Sequence, residues 1–224
     1  LGYSALQAGL GFIPLAVTMM ISSPASARLD ARFGSKAVVV AGLIIAAGAV
    51  ALLSTASVDS SYGLVAAVLA LLGIGLGCVM TPATNSIMGS LPLAKAGVGS
   101  AVNDTTRQIG GALGVAILGS ITNVVYRSTV QSSASFKALA ATARATVRGG
   151  IGNALVTAGS LPSAARSQLA LDAKRSFVHA MDLTALIGTL FVLAGALVAY
   201  IWLPARAADE PAPVESVELA AAAS

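Results

Sequence analysis

The sequence predicts an all-α integral membrane protein with five transmembrane helices, and three observations carry that prediction. The 224 residues are 56% hydrophobic and only 10% charged, where a soluble domain carries about 25% charged residues. Mean hydropathy is +0.86, too apolar for a chain that must clothe itself in water-facing side chains. Ala, Val, Leu and Gly run in long unbroken stretches with 4% aromatics, whereas barrel strands alternate polar and apolar residues over about ten positions.

A hydrocarbon core of about 30 Å takes roughly 20 helical residues to cross. Four stretches of that kind lie within residues 1–126, at about 5–27, 37–56, 64–88 and 104–126, and a fifth covers 182–203. Each satisfies its own backbone hydrogen bonds, as lipid requires. The connections differ in character. "RLDARFGSK" at 28–36 is a short basic loop, and "SVDSSYG" at 57–63 carries no Lys or Arg. Residues 127–181 form a long polar insert, and 204–224 a tail ending in alanines, expected to be disordered and cytoplasmic.

Five spans put the first loop, the third loop and the tail on one side. That side gathers Arg28, Arg32, Lys36, Lys95, Arg107 and Arg206, which the positive-inside rule places in the cytoplasm. The insert pulls the other way with Arg127, Lys137, Arg144, Arg148, Arg166, Lys174 and Arg175, so local charge leaves the orientation open. Within the insert, Phe136, Ala140, Ala143 and Val147 share one helical face, and Leu169, Ala173 and Phe177 another, with Ser163 placed to cap. The expectation is a helical hairpin lying on the membrane surface, its cations on anionic headgroups.

The formal charge of +4 does not point to nucleic acid, because the basic residues lie between the apolar runs. A single cysteine, Cys78, excludes an intrachain disulfide and a cysteine-rich metal site. Paired membrane carboxylates, HExxH, G-x-S-x-G, a phosphate loop and metal-spaced ligands are all missing from the sequence. The expectation is a protein without catalytic residues, cofactor or metal. The first residue is Leu1 and the first apolar run lacks a basic n-region, so the chain reads as a piece of a longer protein.

Two stretches carry a family resemblance. "ARLDARFGSK" resembles the loop motif of the major facilitator superfamily, with Arg32, Gly34 and Lys36 in place, Asp30 one position early and Ser35 for a basic residue. "GIGLGCVMTPATNSIMGSLPLAKAGVGSAVNDTTRQIGGALGVAILGS" is similar to the corresponding region of the fourteen-span drug:proton antiporters of EmrB/QacA type. Gly75, Gly77, Pro82, Asn85, Pro92, Gly97, Ser100, Asn103, Arg107, Gln108, Gly110, Gly111 and Gly114 carry that match. The resemblance covers residues 1–126 and the last span, and touches the insert in position more than in sequence. It implies the last five of fourteen spans, most of the C-terminal six-helix half, with the insert facing outward. The first helix of that half and the whole N-terminal half would be absent.

What the resemblance implies for function is proton-coupled multidrug efflux across the inner (plasma) membrane by alternating access. The partners would be the lipid bilayer, protons, a small amphipathic or cationic substrate and the N-terminal half of the same transporter. The alternative is a non-transporting membrane scaffold or subunit whose basic hairpin binds lipid or a partner.

Candidate residues fall into three groups. Asp30, Arg32, Gly34 and Lys36 form either a gating latch, as the resemblance implies, or a plain basic corner ended by glycine. Asn85, Asn103, Asp104, Arg107 and Gln108 are candidate cavity or gate residues. Asp104 and Arg107, three apart, share a helix face and can pair. Arg107 in a first turn is equally a snorkelling anchor, since mid-membrane it would cost about 2.5–3.5 kcal/mol. Asn85 follows Pro82, whose freed carbonyl makes a kink the simpler reading. Gly75, Gly77, Pro82, Gly110, Gly111 and Gly114 are expected to pack helices, Gly110 and Gly114 forming a small-xxx-small face.

Overall fold

The computed structural model describes residues 5–58, 60–89 and 92–204; the tail beyond Pro204, with Arg206, lies outside them. Nine α-helices and no strand occur among the described residues. Helices α1 (Ala5–Leu10) and α2 (Ile13–Phe33) are followed by α3 (Ser35–Leu53), α4 (Tyr62–Gly89) and α5 (Ala96–Ser132). Short helices α6 (Ala134–Lys137), α7 (Ala141–Arg148) and α8 (Ile151–Gly159) precede α9 (Ser163–Trp202).

Four of these helices, α3, α4, α5 and α9, are long and apolar enough to cross a membrane. The first expected span is split. The chain turns at Gly11 and Phe12 because Pro14 stands at the start of α2 and has no N–H for a continuous ladder. Helix α2 is less apolar than its neighbours because Arg28, Asp30 and Arg32 fall in its last turns and Thr18, Ser22, Ser23 and Ser26 lie along its length. Ser22 and Ser26 are buried, and Ser22 Oγ donates to the carbonyl of Gly73 at 3.3 Å while Ser23 and Thr81 hydroxyls meet at 2.7 Å. Polar side chains turned toward a neighbouring helix are compatible with a lipid-exposed bundle.

Helix α4 lies between α2 and α3 and makes the two most extensive helix contacts of the molecule. Its sequence G-I-G-L-G explains how. Gly73 and Gly77 are four apart and share one face, whereas Gly75 is about 200° around from Gly73 and points to the other. A methyl group on Gly73 would strike Thr18 and Leu15 of α2, and one on Gly77 would strike Ser22. A methyl on Gly75 would come within 2.8 Å of both the Ala46 nitrogen and the Gly42 oxygen of α3. Helix α3 packs in turn on α9, and α9 on α5. The last contact is registered by a 2.9 Å hydrogen bond between the Thr122 and Thr184 hydroxyls.

The insert forms a packed unit of its own at the ends of α5 and α9. At 37 and 40 residues, α5 and α9 are about 55 and 60 Å long, far more than a bilayer. They run on past the expected span ends at 126 and 182 and carry the three short helices between them. Tyr126, Val130, Phe136, Val147, Leu169 and Ala173 form one buried core there, with Ala143 and Phe177 packed against it. The apolar faces read from the sequence close on each other as a small helical cap. Burying them mutually removes apolar area from water without needing a bilayer. Ala140 drops out of its expected face because the chain breaks there, with Ala140 extended before α7. Ser163 is the first residue of α9 and Pro162 its cap.

These contacts predict a sharp difference between two sets of glycines. Gly75→Ala in the 224-residue chain places a methyl on backbone atoms that cannot step aside, at a cost of about 1–3 kcal/mol. A thermal melt in mild detergent should show a lower Tm. Gly111→Ala, with nothing within 4 Å of the added carbon, should leave Tm unchanged or raise it, since alanine favours helix by about 1 kcal/mol.

Candidate functional site

Three regions hold the residues singled out from the sequence. The first is the corner between α2 and α3. Gly34 takes φ 84° and ψ 154°, a left-handed backbone that favours glycine, and its N–H donates to the Asp30 carbonyl at 2.8 Å. The Asp30 carboxylate, one place early against the family motif, accepts a 2.7 Å hydrogen bond from the Ser35 hydroxyl. Ser35 is fully buried, so the two departures from the motif answer each other. Arg32 lies over the Phe33 ring at 5.3 Å, and Lys36 over the Tyr200 ring at 5.1 Å. That last contact ties the corner to the end of α9. Tyr200 was not evident from the sequence, because nothing local relates it to residue 36.

The second region is the lower half of α4. Pro82 is buried and the helix runs through it. Asn85 is exposed, whereas the hydroxyl of Ser86 is buried with no hydrogen-bond partner among the described residues. The third is α5. Asp104, Arg107 and Gln108 are exposed and Asn103 is half-buried. The Arg107 guanidinium is 4.0 Å from the Asp104 carboxylate, with the side chains 52% and 62% exposed. Such a pair contributes little stability; it neutralises charge and orients the arginine. A methyl on Gly110, Gly111 or Gly114 would meet open space. Between Gly99 and Tyr126 no residue of α5 is buried. Helix α5 touches α4 only slightly, so the second and third regions are not drawn together within this chain. The described residues leave this face of α5 bare.

At the opposite end of the bundle from the Gly34 corner, an apolar groove of about 640 Å³ opens between α1, α3 and α4. Leu10, Phe12, Leu53, Val65 and Leu69 line it, and the Tyr62 hydroxyl donates to the Gly11 carbonyl at 3.0 Å beside it. The turn at Gly11 creates this groove, and the sequence showed only the Gly and Pro that cause the turn.

The family model of the Major Facilitator Superfamily matches residues 1–115. The chain belongs to the Major Facilitator Superfamily. With membrane-length apolar helices arranged as above, it is a multi-pass membrane protein. It is 33% identical over 198 residues to the multidrug efflux pump LfrA of Mycolicibacterium smegmatis, covering 88% of this chain and 39% of that protein. It is 29% identical over 118 residues to the tetracenomycin C resistance and export protein of Streptomyces glaucescens, across 53% of this chain and 22% of that protein. An uncharacterized MFS-type transporter of Bacillus subtilis, YhcA, is 29% identical over 120 residues, across 54% of this chain and 23% of that protein.

The chain thus spans about two fifths or less of the length of these superfamily relatives. An alignment of 198 residues within 224 must run through the insert, so the likeness to LfrA extends into the cap.

The corner geometry yields a prediction. Gly34→Val must hold a β-branched residue at positive φ, a strain of about 1–3 kcal/mol. The purified chain should melt at a lower temperature. Ser35→Ala, which loses one hydroxyl donor to Asp30, should cost less, about 1 kcal/mol.

Proposed function

We propose that this chain is the C-terminal portion of a drug:proton antiporter of the fourteen-span EmrB/QacA-type branch, exporting small amphipathic or cationic compounds by alternating access. The single observation that supports this best is the likeness to a named multidrug efflux pump, maintained over 88% of the chain. In this reading the Gly34 corner, Lys95 and the α9 end at Trp202 face the cytoplasm of a cell whose plasma membrane holds the protein, and the cap faces outward.

The bare face of α5 fits the same reading. Gly110, Gly111 and Gly114 present a smooth surface on which the rest of the transporter would pack and slide. Asn103, Asp104, Arg107 and Gln108 lie one to two turns from it, at the cytoplasmic mouth, where Arg107 can keep its head hydrated in one state and face the other half in the next. Asp30, Arg32, Gly34 and Lys36 serve as the latch that holds one conformational state, with Tyr200 as its seat on α9. Asn85, Gly75, Gly77 and Pro82 shape the helix that lines the path.

The test is dye efflux from cells expressing the full-length parent, using ethidium, with and without a protonophore. Efflux that collapses with the proton gradient is expected; ethidium export that persists without the gradient would contradict antiport. In the same assay, Arg107→Ala should lower efflux severalfold while the amount of protein in the membrane stays level. Equal losses of efflux and of inserted protein would reduce Arg107 to an anchor.

A further inference from the structure

The depth of the cap in the membrane can be derived from its helices. Tyr200 and Trp202, 61% and 82% exposed, mark one interface, where aromatic side chains collect. Twenty residues of α9 above them cross about 30 Å, which sets the far edge of the hydrocarbon near residue 182. Helix α3 agrees. A methyl on Gly188 would sit 3.6 Å from Val50, so in these antiparallel helices the end of α3 at Leu53 lies level with about residue 185. The Thr122–Thr184 hydrogen bond then puts Arg127 of α5 level with His179, about 4–5 Å beyond the edge. A headgroup layer is about 5–8 Å thick. Arg127 stands within it.

Arg127 does not stand alone. Its Nε donates to the carbonyl of Arg148 at 3.1 Å, which fixes the end of α7 at the same depth. The Arg148 guanidinium lies 5.6 Å over the Phe136 ring, held out from the cap core. Both arginines are exposed. Neither has an ion-pair partner among the described residues, where Asp104 and Arg107 form the one pair. The acid of the cap, Asp172, accepts a 2.6 Å hydrogen bond from Ser135. Against it the segment 127–181 carries Arg127, Lys137, Arg144, Arg148, Arg166, Lys174 and Arg175. Directly below, Val124 and Leu186 expose apolar surface at the level of acyl chains.

We propose that Arg127 and Arg148 at the base of the cap bind the phosphate of an anionic phospholipid in the leaflet on the cap side. Arginine matches a phosphate with paired N–H donors, and a cation in the headgroup layer is attracted to an anionic surface. The bound lipid would seat the cap on the bilayer and fix its tilt over the α5–α9 pair. This inference needs only that α5 and α9 span a bilayer; it stands or falls separately from proton-coupled export.

Hydrogen–deuterium exchange of the full chain in nanodiscs reads the site locally. Amides near the end of α7, residues 145–152, should exchange severalfold more slowly in phosphatidylglycerol discs than in phosphatidylcholine discs. Arg148→Gln keeps the backbone carbonyl that Arg127 uses, and should abolish that difference. Inorganic phosphate added to phosphatidylcholine discs should not reproduce the protection. Equal exchange in the two lipids, or a difference that survives Arg148→Gln, would overturn the proposal. Protection by phosphate alone would overturn the lipid as ligand and leave a free-anion site. If Arg148→Gln loosens the cap even in phosphatidylcholine, the comparison of the two lipids in the unaltered chain decides the matter.

Discussion

The fold depends on how closely α4 approaches α2 on one side and α3 on the other. In a bilayer, apolar side chains gain nothing by leaving lipid for one another, so association has to come from dispersion contacts and short hydrogen bonds. Glycine at 73, 75 and 77 lets backbone meet backbone, and the serines of α2 then reach carbonyls and hydroxyls of α4 that a larger residue would screen. The α2–α4–α3 layer is the most extensively packed part of the chain. The rest is arranged on it: α9 lies on the free side of α3, and α5 hangs from α9.

That hierarchy explains the uneven distribution of neighbours. Helix α5 is held by α9 along one side and by the cap at its far end, where Tyr126 and Val130 are buried. Its central turns meet little else in this chain. A helix of that length with glycine at 110, 111 and 114 would be poorly fastened if it ended in lipid. The cap, closing α5 and α9 at one end, fastens the pair independently of what lies against the glycine face. The helix is thus anchored at its end and smooth at its middle.

Much of this was legible in the sequence, for identifiable reasons. Long apolar runs define helices because the bilayer enforces internal hydrogen bonding, so α3, α4, α5 and α9 follow from hydropathy alone. The Asp104–Arg107 pair follows from spacing on one helix. The split between α1 and α2 was hidden by continuous hydropathy, though Pro14 marks it. The closure of the cap was not legible because an amphipathic face is silent about its partner: Phe136, Val147 and Leu169 could bury themselves in lipid or in each other, and they share one core. Contacts such as Lys36 with Tyr200 and Arg127 with Arg148 join residues distant in sequence, and no local pattern records them.

What covers the glycine face of α5 decides whether this helix packs within a larger transporter. The most direct test is a photoreactive benzoyl-phenylalanine placed at position 111 of the full-length protein, irradiated in the membrane, with the adducts mapped by mass spectrometry. Cross-links to segments of the same polypeptide outside these 224 residues are expected. Adducts to lipid alone would mean that this face looks into the bilayer, and would contradict that packing.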